Sequence, residues 1–329
     1  MTRGALRLWP AAAVLLLCGC GTNQSVLNPK GPDALQLTEL TWFLIAFCTF
    51  VLVVVMIVTA VALGGPAGAR RMLASPAAVI LGGIVFPAVS LTGLLGYGIW
   101  LTRASAAPDA PNALQVEVVG EQWWWRVLYG QPSDAQFASA NEIRIPIGRQ
   151  VVFTLKSADV IHSFWVPNLG GKVDMIPGRT TKLRLQADEP GVYRGQCAEY
   201  CGGPHALMAL EVVALPAQEF ETWLKAQTGP TPSPVTPDAQ RGEQIFTSAG
   251  CGACHTIRGT PAAGTVGPDL TRLGTRRSVG VDTLPLTQAN IARFIRDGQH
   301  VKPGNLMPPF RIFTAAELDA LAAYLAGLR

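Results

Sequence analysis

The chain has 329 residues, 49% of them hydrophobic and only 15% charged, with a formal net charge of +4. That balance is too apolar for a disordered chain and too poor in charge for an ordinary soluble enzyme, so membrane segments are expected. No basic run interleaved with aromatics occurs, so nucleic acid is excluded as a partner.

The first twenty residues, MTRGALRLWPAAAVLLLCGC, place Arg3 and Arg7 ahead of an apolar core of about ten residues, a signal-peptide length too short to span a bilayer. The stretch ends in Leu17-Cys18-Gly19-Cys20, which resembles the lipobox of bacterial lipoproteins. Residues 1–19 then read as a lipoprotein-type signal peptide, with lipidation at Cys20; a plain signal peptide is the alternative. Either way, the chain beyond the signal starts outside the cytoplasm.

Leu40 to Leu63 contains 24 uncharged residues, and Met72 to Leu101 is a second uncharged run between Arg71 and Arg103. Each is long enough to cross a hydrocarbon core of ~30 Å, so transmembrane helices are expected over about 40–63 and 76–101, within an N-terminal segment of 20–109. Arg70 and Arg71 favour the cytoplasmic side for the connecting loop, which leaves both flanks outside.

From 110 to 227 the pattern changes to short runs rich in Val, Ile and Leu: LQVEVVG, EIRIPIG, QVVFTLKS, TKLRLQA, GVYRGQC and ALEVVAL. Gly or Pro separates them, as in an all-β sandwich or barrel closed by a helix, PAQEFETWLKAQ. Four prolines in Thr228 to Asp238 then mark a semi-rigid linker over 228–238. Residues 239–329 have helical periodicity. Thr287 is placed to cap one helix ending at Gly298. Thr314 and Glu317 form a capping box before a helix with Leu318, Leu321, Ala322 and Leu325 on one face.

Within the β region, Gln196 to Met208 reads QCAEYCGGPHALM and gathers Cys197, Cys201, His205 and Met208. A mononuclear blue-copper site uses two histidines, one cysteine and a weak axial methionine. His162, expected at the end of a strand in ADVIHSFWVP, supplies the second imidazole, so the inventory is a blue-copper set plus one thiolate. Two copper ions use every donor if both thiolates bridge. Each ion then has two shared sulfurs and one histidine, with Met208 weakly on one and a backbone carbonyl of the Cys-to-Cys loop on the other. Sharing delocalises an added electron and keeps reorganisation small, which suits electron transfer. The same residues also admit a Cys197–Cys201 disulfide, a zinc site that leaves Met208 idle, or a copper-delivery site with no need of haem.

Downstream, Cys251-Gly-Ala-Cys254-His255 is the attachment pattern for haem c. Cys251 and Cys254 add to the haem vinyl groups and His255 reaches the iron. Met307 in GNLMPPF offers the second axial ligand, which raises the potential. A zinc or redox pair is the alternative, but only His300 is at hand to complete a zinc shell, and it reads as a surface residue. The domain resembles class I cytochrome c, whose loop beside the axial histidine GPDL matches.

The membrane anchor, the β region, HSFWVP, KVDMIPG and CAEYCGGPHALM together resemble subunit II of haem–copper cytochrome c oxidases, over residues from about 35 to 225. The appended domain resembles the subfamily with cytochrome c fused to subunit II. The resemblance implies a two-helix transmembrane hairpin, a cupredoxin-like barrel and an all-α cytochrome c domain. It implies a dinuclear copper centre, CuA, held by His162, Cys197, the carbonyl of Glu199, Cys201, His205 and Met208. It also implies a magnesium ion reached by the Glu199 side chain at the subunit I interface, with Asp174 at an acidic position nearby. In EQWWWRVLYG, Trp123 matches the tryptophan through which electrons enter, and Trp124 and Trp125 are expected to pack the barrel.

No catalytic residue is expected on this chain, because four histidines are too few for an oxygen site here. Electrons from a soluble cytochrome c or other periplasmic donor would pass through haem c and CuA to subunit I. Oxygen is reduced there with proton translocation, beside subunit III and lipid, in the bacterial inner membrane. One departure stands out: matched on Pro87, Ile80 and Gly83 occupy positions where many members carry a glutamate and a tryptophan. The glutamate's proton-uptake route is thus in doubt, unless Glu39 or another subunit substitutes. The rival readings are the CuA subunit of a membrane nitric oxide reductase and a copper-binding or delivery protein.

Overall fold

A computed structural model describes residues 23–105, 108–130 and 137–329. The expected export signal and Cys20 lie outside the described residues. The chain forms two compact units, Gln36–Ala110 and the remainder.

The first unit is helical and apolar. Helix α1 (Pro32–Gly64) runs 33 residues through Leu, Val, Ile, Phe and Ala. It stops where Gly65 closes onto Val61, so tightly that a Cβ at Gly65 would come within 2.6 Å of the Val61 carbonyl oxygen; Pro66 cannot continue it. A short helix α2 (Ala67–Leu73) carries Arg70 and Arg71 in its last turn. Ser75 then caps α3 (Pro76–Ile80), its hydroxyl accepting from Ala78 N at 3.3 Å. One wider turn, Leu81–Val85, joins α3 to α4 (Phe86–Ser105), with Phe86 N reaching back to Leu81 O. The cause is Pro87, which lacks an N–H and crowds the carbonyl four residues before it; Gly82-Gly83 absorbs the misfit. Ile80 and Gly83 sit at this joint. Spans of 33 and 28 residues, with outward apolar surfaces, are long enough to cross a membrane. The first helix begins at Pro32, ahead of the expected span, because Gln36, Thr38 and Glu39 continue the helix that Leu40 onwards makes apolar.

In the other unit, two five-stranded sheets face each other. Strands β1 (Leu114–Glu121), β2 (Trp124–Tyr129), β3 (Phe137–Ala140), β4 (Glu142–Pro146) and β5 (Val151–Ser157) come first. β6 (His162–Trp165), β7 (Val173–Met175), β8 (Thr181–Leu185), β9 (Gly191–Cys197) and β10 (Ala209–Leu215) follow. The sheet orders are β3-β2-β1-β5-β8 and β4-β10-β9-β6-β7. Two neighbouring pairs, β1 with β5 and β10 with β4, are parallel. Between the sheets Val116, Val118, Trp125, Phe153, Leu155, Phe164, Met175 and Leu210 are buried to 1% exposure or less. Helix α5 (Ala217–Thr228) closes one end through Phe220 and Trp223. A strap from residues 23–31 crosses the barrel: Asn168 donates to Ser25 O and Asn28 O, and Lys30 pairs with Glu189 at 2.7 Å.

The C-terminal domain has its own core around Phe246, Ile291, Leu318, Leu321, Tyr324 and Leu325. Helix α6 (Pro237–Ser248) crosses α8 (Ala315–Gly327) so closely that a Cβ at Gly242 would lie 2.0 Å from the Ala320 carbonyl oxygen. Helix α7 (Gln288–Val301) starts at Thr287, whose hydroxyl accepts from Asn290 N. It runs past Gly298, with a kink at Asp297. The capping box of Thr314 and Glu317 is present in both directions. The proline-rich connection is held against this domain, with Arg272 donating to Gly229 O at 2.9 Å and Pro230 O at 2.8 Å.

Candidate metal centre and haem site

The copper donors converge at one end of the second sheet. Cys197 ends β9, and His162 opens β6 rather than closing a strand; the two strands pair with Phe164 opposite Cys197. The chain then turns through Cys201 and Gly202 into a single tight turn, His205–Leu207, before Met208 and β10. Cys197 N donates to Met208 O at 2.9 Å and Ala198 N to Ser163 O at 3.0 Å, so strand hydrogen bonds set the spacing of the donors. The sulfurs of Cys197 and Cys201 stand 3.8 Å apart, far beyond an S–S bond of about 2.05 Å. Each has its own imidazole: His162 Nδ1 lies 3.8 Å from Cys197 Sγ, and His205 Nδ1 lies 3.4 Å from Cys201 Sγ. Met208 Sδ is 3.7 Å from Cys201 Sγ, and the Glu199 carbonyl oxygen is 3.2 Å from Cys197 Sγ. Two sulfurs, two imidazoles, a thioether and a carbonyl so placed would fit a pair of soft, imidazole-accepting metal ions. They do not fit a tetrahedral zinc site, which has no use for the thioether.

The surroundings orient these donors. Asp159 Oδ1 lies 2.7 Å from His162 Nε2 and its Oδ2 accepts from Gln122 N at 2.6 Å. A carboxylate on Nε2 fixes the tautomer that leaves Nδ1 free for a metal. Trp125 backs the same ring at 6.1 Å between centroids. Gly120 of β1 faces it so closely that a Cβ there would sit 2.8 Å from His162 Cδ2. Burial works against an imidazolium at His162, but the hydrogen bonds to Cys197 and Asp159 outweigh it and raise the ring above its ordinary value. The two thiols share their protons unevenly. Hydrogen bonding to Cys201, aided by His162 and nearby amides, holds Cys197 down at about 4, and the Cys197 sulfur, with burial, pushes Cys201 up. One proton leaves readily, and a metal must displace the other.

Trp123 lies against the loop that carries the second thiol. Its indole N–H donates to Cys201 O at 2.9 Å, and Gln122 Nε2 donates to the same oxygen at 2.8 Å. Gly202, at φ +109, lets the turn approach the ring: a Cβ there would be 3.1 Å from Trp123 Cζ2. Trp124 instead stacks under the Arg126 guanidinium at 4.7 Å. Glu199 and Asp174 both present exposed side chains.

In the haem domain, Cys251 is half-buried and Cys254 exposed, both as free thiols on one tight turn. His255 Nδ1 donates to Pro268 O at 2.8 Å, which leaves Nε2 for iron. Burial lowers the His255 pKa, which favours the neutral ring a metal ligand requires. A Cβ at Gly267 would strike this ring at 2.5 Å. Met307 packs against the domain core, held by Asn305 Oδ1 accepting from its N at 3.0 Å. His300 is exposed. The set fits a covalently attached haem.

Asp159, Gly120 and Trp125 escaped the sequence reading as parts of this site. Asp159 had one available signal, an acid three residues before a candidate ligand. The others act through contacts across the sheets.

The family described as cytochrome C oxidase subunit II, periplasmic domain, matches residues 135–215, and the cytochrome c family matches residues 239–329. Cytochrome c oxidase subunit 2 of Alkalihalophilus pseudofirmus is 32% identical over 345 residues, covering 98% of this chain and 99% of that protein. The namesake protein of Bacillus sp. (strain PS3) is 34% identical over 228 residues, 66% of this chain and 63% of its own. A crystal structure of the periplasmic domain of cytochrome oxidase subunit II from Bradyrhizobium japonicum is 30% identical, with a TM-score of 0.34, covering 36% of this chain and 95% of that one.

Proposed function

The chain belongs to the cytochrome c oxidase subunit II family, and on that premise we propose that it is the two-pass, haem-bearing electron-input subunit of a bacterial terminal oxidase. Electrons are taken from a soluble cytochrome c or another periplasmic donor and delivered to subunit I, where oxygen is reduced to water with proton translocation. Dinuclear copper and haem c, when bound, supply one-electron chemistry with little change in ligand shell.

The residues of this chain do the holding and the aiming. His162, Cys197, the Glu199 carbonyl, Cys201, His205 and Met208 would hold copper. Asp159 and Trp125 keep the His162 ring in place. Cys251 and Cys254 would attach haem, with His255 and Met307 available to its iron and Pro268 O orienting His255. Trp123, in contact with the Cys201 carbonyl, is where electrons enter the copper site. The exposed Glu199 carboxylate is available for magnesium at the subunit I interface, where Asp174 is a further acidic position. Cys20 is the lipidation site after removal of the signal peptide, and the inner membrane, with subunit III and lipid, is the setting.

One observation carries the reading: two sulfurs 3.8 Å apart, each with its own imidazole. The test is metal analysis and electron paramagnetic resonance on the full chain in detergent. Two copper ions per chain, with one unpaired electron shared equally between two nuclei, are expected. A single copper with a mononuclear spectrum, or none, overturns the proposal in favour of a delivery protein. The catalytic subunit that co-purifies distinguishes oxygen from nitric oxide as the final acceptor.

A further inference from the structure

Lys302 follows the last turn of α7 in the haem domain, yet its side chain ends against the β barrel. It is only 2% exposed. Among the described residues its ammonium donates two hydrogen bonds, both to main-chain carbonyls: Trp123 O, and Leu207 O at 3.0 Å. These acceptors belong to the two segments that frame the copper donors. Leu207 precedes Met208, and the Trp123 indole holds the Cys201 carbonyl.

The loop beyond Lys302 leads to the expected axial methionine. Gly304, at φ +85, brings the backbone against the same tryptophan: a Cβ there would lie 3.4 Å from Pro204 and 3.7 Å from Trp123 Cζ3. Asn305 ties the loop together, its Nδ2 donating to Lys302 O at 2.8 Å and its Oδ1 accepting from Met307 N at 3.0 Å. Gln299 Nε2 adds a bond to Met307 O at 3.2 Å. Met307, Lys302, Trp123 and Cys201 are thus joined in one chain of direct contacts across the domain boundary.

Lysine is an unfavourable residue to bury, since an ammonium without a carboxylate partner destabilises relative to an apolar side chain of similar volume. What it adds is direction: its N–H groups are satisfied only when two carbonyls of the other domain stand at fixed places. Among the described residues, the other side-chain hydrogen bonds and ion pairs that cross this boundary do not reach the copper frame. Arg277 with Glu211 and Arg194 with Asp282, at 3.0 and 2.8 Å, are partly exposed pairs. Arg126 and Arg144 reach Thr265 O and Thr275 O.

We infer that Lys302 is a positioning residue for electron transfer, seating the methionine loop of the haem domain on Trp123 and so fixing the gap between haem c and the copper pair. The inference rests on the chain carrying both groups.

The test uses Lys302→Met in the assembled oxidase. Haem and copper contents, both spectra and the rate of haem reduction by a diffusible artificial reductant stay as in the wild type. Haem-to-copper transfer slows several-fold, because electron transfer weakens steeply as the gap widens. Oxidative footprinting of the same protein shows the Trp123 indole several-fold more reactive. Lys302→Gln, which keeps an N–H donor, recovers part of the rate; a merely structural defect would lower metal content in both variants. Unchanged transfer together with unchanged Trp123 reactivity overturns the inference. Should Lys302→Met fail to accumulate, Asn305→Ala releases the loop while keeping the Lys302 side chain, and the same slowing is expected with an unchanged haem spectrum; a wild-type rate, or slowing only with an altered haem spectrum, refutes it. A wild-type chain with one copper or none would instead sink the copper reading, and metal content is measured first.

Discussion

Gly120→Ala tests whether the copper site depends on a gap left for an imidazole. The added methyl carbon would sit 2.8 Å from His162 Cδ2 and 2.9 Å from Cγ. Carbon contacts become comfortable near 3.4 Å, so ring and strand must part by about 0.6 Å. The ring has little freedom to retreat: Asp159 grips Nε2 at 2.7 Å, Trp125 stands behind it, and His162 is 0% exposed. Overpacking of this kind costs about 1–3 kcal/mol. That should appear as a lower denaturation midpoint for the copper-free chain, with an unchanged denaturant slope. In the copper-loaded chain, displacement of Nδ1 should make the two copper nuclei inequivalent and distort the hyperfine pattern. A variant with wild-type stability and an unaltered spectrum would refute the claim that β1 sets the position of His162.

Asp159→Ala removes the orienting carboxylate and should weaken copper binding by about 10–100-fold, read by competition with a chelator. Gly267→Ala pushes a methyl into the His255 ring at 2.5 Å. Haem should remain attached, as mass spectrometry would show, while its visible spectrum departs from that of the wild type. Stability should also depend on pH through Lys302. Burial lowers its pKa from 10.5 to about 7, with the Cys201 charge acting weakly the other way. Below about 7 folded and unfolded chains are both protonated and the full cost of burial applies. Between about 7 and 10.5 only the unfolded chain keeps the proton, so this group's contribution rises with pH, by at most about 1.4 kcal/mol per unit. Wild type should therefore gain stability over Lys302→Met between pH 7 and 9 in urea titrations; a pH-independent difference would contradict the burial.

The soft donors were legible because they are rare and close in sequence, and the haem motif because covalent attachment dictates its spacing. Strands β1, β4, β5, β8, β9 and β10 announced themselves through branched residues between turns. β2 was hidden in the aromatic run from Trp124, β3 in small residues, and β6 and β7 are too short to carry a period. The order of the sheets, with parallel pairs joining strands far apart in sequence, has no local signal. Nor has Lys302, which reads as one more solvated lysine at a helix end until the neighbouring domain is in place.

The strap of residues 23–31 bears on how this protein can be handled. Lys30 N donates to Asn168 O and Asp188 N to Lys30 O, and Gln24 Oε1 accepts from Arg194 Nη1 at 2.9 Å. Gly31 lies so near the Gln186 carbonyl oxygen that a Cβ would stand 2.0 Å away. A water-soluble version begun after the hairpin would lack this brace and leave β9, which ends in Cys197, without its outer support. Excision of the membrane part calls for the amino-terminal piece to be spliced back or supplied as a peptide.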